Sequence, residues 1–179
     1  EPSPKDMRGE GGGIYLIYSE AEIESGTINE NTAIATAPDE YGNVSGGLGG
    51  AISAKYSAVT IKGNAEICNN SAGNRGGAIY TEGTTNDSSL LNIEGGTISG
   101  NHVNGSGAGI FAICSRGNKH NMDVIISGGT ITNNYSGTGE NEEENAIVLM
   151  GWDPNLTEDT GFADLYLSGS PVITGSVTL

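Results

Sequence analysis

The chain has 179 residues, 30 of them glycine, and carries seven Lys and Arg against 22 Asp and Glu, a formal net charge of −15. So few cations neither neutralise a row of phosphates nor hold an anionic bilayer surface, which excludes nucleic acid and the membrane face as partners. No apolar run reaches the length of a membrane-spanning helix, no secretory signal is visible, and glycine at this density opposes helices.

Residues 1–10, which open Glu1-Pro2-Ser3-Pro4-Lys5-Asp6, lack any apolar segment and read as an N-terminal linker. Residues 11–179 read as one repeat domain, expected to be a segment of a longer protein. Its last run, 175–179, is strand-like and is expected either to continue or to fold back as a cap. Each repeat starts on a short apolar run, and the aligned isoleucines are 14, 52, 79, 110 and 147, with gaps of 38, 27, 31 and 37 residues. A second run of alternating pattern follows at Val59-x-Ile61, Leu91-x-Ile93, Val124-x-Ile126 and Leu165-x-Leu167, with Ala21-x-Ile23 as a weaker version. A third places Ile28, Ile67, Ile98 and Ile131 three residues before Asn31, Asn70, Asn101 and Asn134, while Ile173 precedes Ser176 in the same spacing.

Three short alternating runs per repeat predict three strands, separated by Gly, Asn and Ser bends. Unequal gaps predict loops of varying length on a regular stack. The expected architecture is all-β: a right-handed, single-stranded parallel β-helix, or pectin lyase-like solenoid, with about five coils of three short strands. Five coils at about 4.8 Å give a cylinder only about 24 Å long. The isoleucines would form three interior columns, and the asparagines a hydrogen-bonded ladder in one bend. A leucine-rich repeat is the competing fold, but it needs dense leucine and an apolar residue where Gly26, Gly96 and Gly129 stand. Cys68 and Cys114 would lie two coils apart, about 9.6 Å, too far for a disulfide.

Gly49-Gly50-Ala51-Ile52 and Gly76-Gly77-Ala78-Ile79, together with the Ile-x-x-Asn runs, resemble the GGA[ILV] and FxxN motifs of the chlamydial polymorphic outer membrane proteins. The resemblance covers roughly residues 11–176, with isoleucine in place of phenylalanine and without an autotransporter barrel. It implies a β-helical, surface-exposed, adhesin-like segment.

Residues that follow the first-column isoleucines, namely Tyr15, Ser53, Tyr80, Phe111 and Val148, face outward by alternation and make an apolar column of the kind that marks an interaction surface, unless the loop 32–48 covers it. Trp152 stands in a loop beside Asp153, Glu158 and Asp159, as a sugar-stacking ring or as a cap on the open end. The candidate ligand-binding residues are therefore Tyr15, Tyr80, Phe111 and Trp152. No catalytic residue is assigned: Arg75 alone at a bend lacks converging partners, and Asp87, Asp123, Asp153, Asp159 and Asp164 are scattered. No metal ligand is assigned either. His102 and His120 lie in different bends, and the acidic run 140–144 admits Ca²⁺ loosely but lacks the ligand spacing of a tuned calcium loop. The chain thus reads as a non-catalytic, extracellular or cell-surface module that binds a glycan or a surface protein. The alternatives are a polysaccharide lyase or glycoside hydrolase of the same fold, or a structural spacer.

Overall fold

The computed structural model describes residues 9–38, 40, 44–84, 87–115, 120–151 and 162–179. It is all-β, and a single 3₁₀ turn, Gly139–Asn141, is the one helical element among the described residues. The strands stack in rows. Each is paired in parallel with its counterpart one repeat away, and the rows join into two curled sheets of ten and eight strands.

The first row contains Ile14–Ile17, Ile52–Lys55, Ile79–Gly83, Ile110–Cys114, Glu143–Gly151 and Ser176–Thr178. Its register sets Ile14, Ile52, Ile79, Ile110 and Ile147 side by side, as the repeat predicts, and adds Val177 beside Ile147. The run 175–179 therefore does not fold back, because Ser176–Thr178 runs parallel to its neighbour. The second and third predicted strands are fused in the first two repeats into Glu20–Asn29 and Ala58–Cys68, with a register shift between Ile23 and Ser25. Later repeats separate them into Ser89–Ile93 and Thr97–Ser99, His120–Ile126 and Thr130–Thr132, and Phe162–Leu167 and Val172–Ile173. Ile23, Ile61, Ile93, Ile126 and Leu167 align, as do Ile28, Ile67, Ile98, Ile131 and Ile173.

These columns form one core. Ile52, Ile79, Ile110, Ile61, Ile67, Ile93, Ile98, Ile126 and Ile131 are fully buried, and each such side chain contributes roughly 1.5–3 kcal/mol by leaving water. Cys114 lies in this core and Cys68 is partly exposed; neither is in a disulfide.

The bend after the third row is a second organising element. Asn31 Nδ2 donates to Asn70 Oδ1 at 2.9 Å, Asn70 Nδ2 to Asn101 Oδ1 at 3.0 Å, and Asn101 Nδ2 to Asn134 Oδ1 at 2.9 Å. Each oxygen also accepts the backbone N–H of the preceding asparagine, and the amides of Asn70, Asn101 and Asn134 donate to carbonyls in their own turn and in the adjacent repeat. Buried turn backbone is satisfied in this way. Ser176 does not extend this ladder: its Oγ instead accepts from Asn145 Nδ2 at 2.9 Å, because Ser176 has already entered the first row.

Beyond the asparagines lies a short fourth row that the pattern of three runs misses: Thr32–Ala33, Ser71–Ala72, His102–Val103 and Tyr135–Ser136. Ala33, Ala72 and Val103, with Ala108, make a small separate core. Tyr135–Ser136 also pairs antiparallel with Glu143 and Glu144 across the 3₁₀ turn, the one antiparallel ladder among the described strands.

The Gly-Gly-Ala-Ile motif has a direct physical reading. Gly49 and Gly76 have φ of +65° and +67°, a region that side chains disfavour. At Gly50 and Gly77 an added Cβ would lie 2.1 Å from Gly77 O and 2.5 Å from Ala108 O, so the backbones of adjacent repeats approach through the missing side chain. Ala51 and Ala78 are buried, and the isoleucine that follows enters the core. Gly9 and Glu10, placed in the linker by their sequence, belong to the fold: Gly9 exchanges backbone hydrogen bonds with Ile34 and Leu48, and Glu10 bridges to Leu48.

Candidate functional site

The outward column on the first row is not a free apolar surface. Tyr15 is 44% exposed, but Ser53, Tyr80, Phe111 and Val148 are buried. Alternation does turn them outward; what covers them comes from another bend. Glu10, Leu48, Arg75 and Ser106, one residue before the glycine-rich start of each repeat, form their own ladder of parallel bridges. Leu48 packs on the Tyr80, Phe111, Ile113 and Val148 cluster, and the Arg75 guanidinium lies 4.9 Å from the Phe111 ring centre. The Tyr80 and Phe111 rings stack with centroids 5.9 Å apart and planes 8° from parallel. Of the four candidate ligand-binding residues, then, Tyr80 and Phe111 form a covered aromatic pair. Tyr15 stands apart from them across Ser53, and Trp152 lies outside the described residues.

A charged cluster closes the near end of this flank. Lys55 Nζ is 2.9 Å from Glu10 Oε1 and 3.9 Å from Glu82 Oε2. Tyr80 donates its hydroxyl proton to Glu82 Oε2 at 2.9 Å, and Ser115 Oγ bonds Glu82 Oε1. Burial, and then the Glu82 charge, push the Tyr80 phenol well above its ordinary range. Partial burial and the hydrogen bond to Glu10 push Tyr15 up to about 12. These contacts tie the first, second, third and fourth repeats together, a structural role.

The next bend holds a more open site. Tyr18 and Tyr56 follow the first-row strands Ile14–Ile17 and Ile52–Lys55, with φ of +49° and +54°. The left-handed turn swings both rings to one side, with centroids 5.1 Å apart and a 34° tilt. The serines that follow form a ladder. Ser19 N donates to Ser57 Oγ and Ser57 N to Ser89 Oγ, each at 3.1 Å, while each serine hydroxyl donates to a carbonyl of its own bend: Ile17, Lys55 and Glu82. This ladder fixes the height of the tyrosines relative to the third repeat. A depression of about 730 Å³ opens here, lined by Tyr18, Tyr56, the three serines, Glu20, Ser88, Leu90 and Asp123.

Asp87 reaches the same place, since Tyr18 OH donates to its Oδ2 at 3.4 Å. Desolvation comes first, and the negative charges of Asp87 and Glu82 next, in raising the phenol of Tyr18 or Tyr56 above the ordinary value. Tyr18 is 66% exposed, so a ring face is accessible. The arrangement offers two rigid aromatic surfaces, hydroxyl donors and carboxylate acceptors on one wall. Sequence reading passed over it because Tyr18 and Tyr56 lie on bends, outside the alternating pattern. A Tyr-Ser pair at 18–19 and 56–57, at the same offset from Ile14 and Ile52, is the signal that would have found it.

Elsewhere His102 Nε2 lies 3.0 Å from Gly137 O and 3.4 Å from Glu142 Oε1. Of the acidic run, Glu144 Oε1 accepts from Asn133 N at 2.8 Å and bonds Thr174 Oγ1. The threonine contact, then the backbone one, hold that carboxyl below its usual range. Among the described residues no group of three or more His, Cys, Asp or Glu is placed to share a metal ion. No described helix is long and apolar enough to cross a membrane. The chain matches no protein-family model, no curated protein and no solved structure.

Proposed function

We propose that this chain is a right-handed, single-stranded parallel β-helix of about five coils that serves, outside the cell or at its surface, as a non-catalytic, adhesin-like module binding carbohydrate. Parallel pairing of successive repeats supports the fold: joining parallel neighbours requires a crossover, and such crossovers are right-handed in nearly all cases. In-register columns at 27- to 38-residue offsets support it further. The resemblance of the glycine-rich and Ile-x-x-Asn motifs to chlamydial polymorphic outer membrane protein repeats favours a surface role.

The observation that carries the function is the Tyr18–Tyr56 pair over the serine ladder, with Asp87 in hydrogen-bonding reach. Tilted aromatic faces accept the apolar face of a pyranose, and acids beside them accept its hydroxyl protons. The test is a glycan array, with and without Ca²⁺, on the wild-type chain and on the Tyr18→Ala/Tyr56→Ala variant. Binding without turnover that the double variant loses supports the module. Depolymerisation of a bound polysaccharide assigns the chain to the lyases or hydrolases instead, and silence on every glycan leaves it a spacer.

A further inference from the structure

The same depression carries a statement about which sugars it takes. We propose that it selects glycans bearing a free amine over neutral or uronate-bearing ones, with the ammonium group seated against the exposed side of the Tyr18–Tyr56 pair and facing the carboxylates of Asp87, Glu20 and Asp123. This inference rests on the carbohydrate reading above and narrows it.

Three independent features point the same way. The first is geometry: the two tyrosine rings pack on each other, with centroids 5.1 Å apart and a 34° tilt, and line the depression, while Tyr18 is 66% exposed and so keeps an outer face on which an organic cation is held. The second is the wall around them. Glu20 and Asp123 line the depression and Asp87 bonds Tyr18 OH, whereas no Lys or Arg is among the described lining residues. The nearest described cation on this flank, Lys55, is already paired with Glu10 and faces Glu82. The third is the local field, visible in the tyrosines themselves. Both phenols are harder to ionise than usual, first through desolvation and then through neighbouring carboxylates, so the site penalises a further negative charge. Of the two causes, the carboxylate charges attract a positive charge and repel a uronate, and the whole-chain charge of −15 acts in the same sense on approach. The depression crosses four repeats, about 14 Å at the spacing of paired strands, so a short oligosaccharide spans it.

The experiment compares glucosamine oligomers, N-acetylglucosamine oligomers and galacturonate oligomers of equal length by titration calorimetry at low and high salt. The proteins are the wild type, Asp87→Asn and Tyr18→Ala/Tyr56→Ala. The expected result is at least tenfold tighter binding of the amine form than of the acetylated form at low salt, no binding of the uronate, and a preference that shrinks several-fold in molar salt. Asp87→Asn lowers that preference about threefold while it leaves the acetylated form unchanged, and the tyrosine double variant loses both sugars. Far-ultraviolet circular dichroism shows whether each variant keeps its strands. Equal affinity for amine and acetylated forms overturns the inference and leaves the carbohydrate reading standing. Binding of none of the three also overturns the inference, and silence on the whole glycan array overturns the carbohydrate reading itself. Amine binding that survives the tyrosine double variant shows diffuse charge attraction and overturns the assignment to this depression.

Discussion

The asparagine ladder yields a sharp energetic prediction, and Asn101→Ala is the substitution that probes it. Asn101 is fully buried, and its amide makes contacts on both sides. Its Oδ1 accepts from Asn70 N and Asn70 Nδ2, both at 3.0 Å, and its Nδ2 donates to Ile67 O, Ser99 O and Asn134 Oδ1 at 3.0, 3.1 and 2.9 Å. Truncation strands the buried N–H of Asn70 and removes a donor from two carbonyls, while Asn134 Oδ1 still accepts from Asn101 N. A stranded buried N–H costs about 1–3 kcal/mol and each lost bond about 0.5–1.5 kcal/mol, so the variant should lose about 2–5 kcal/mol. Asn31→Ala provides the internal control. Asn31 is half-buried, its amide donates to Asn29 O and Asn70 Oδ1, and Asn70 Oδ1 keeps the bond from Asn31 N, so the expected loss is about 1 kcal/mol or less. Urea unfolding followed by circular dichroism reads both. With a slope of about 2 kcal/mol per molar, Asn101→Ala moves the midpoint down by roughly 1–2.5 M at unchanged slope, and Asn31→Ala by under about 0.5 M. Equal shifts for the two variants would refute the claim that burial of the ladder, not the mere presence of an amide, stabilises the bend.

Ile110→Ala removes a fully buried member of the first column between Ile79 and Ile147 and should cost about 2–5 kcal/mol, read as a fall in the unfolding midpoint. Gly77→Ala places a methyl 2.5 Å from Ala108 O and 2.7 Å from His102 O, so backbone must shift; the expected loss is about 1–3 kcal/mol or more, read as a fall in the unfolding midpoint. Ser57→Ala, which strands Ser19 N and leaves Lys55 O only the bond from Tyr18 N, should cost about 1–2 kcal/mol and also weaken any ligand bound by Tyr18 and Tyr56. For Tyr15 the phenol is pushed up to about 12 in the folded chain, so the fold holds the proton more tightly than the unfolded chain does. Its stabilising contribution is therefore complete below pH about 10 and declines as pH rises from about 10 to 12. Tyr15→Phe should flatten that part of the stability–pH curve, and an unchanged slope would contradict the assignment.

Local pattern alone determined the columns and the asparagine ladder. Side chains on a strand alternate with a period of two, so an isoleucine at the right offset can point only one way, and a buried turn forces its polar atoms to pair. That is why Ile52, Ile79 and Ile110, or Asn70 and Asn101, were legible without coordinates. What lies over an outward residue is a different matter. Tyr80 and Phe111 face outward as alternation requires, yet Leu48 and Arg75, brought in from the preceding bends, cover them. The serine ladder was hidden because Ser89 follows an inserted loop and sits ten residues after Ile79, whereas Ser19 and Ser57 sit five after theirs. Tyr18, Tyr56, Asp87 and Asp123 come from four repeats and meet only because unequal loops end at one height on the stack. Strand direction is written in neighbouring residues; the company a bend keeps is set by how distant turns of the chain come to rest against one another.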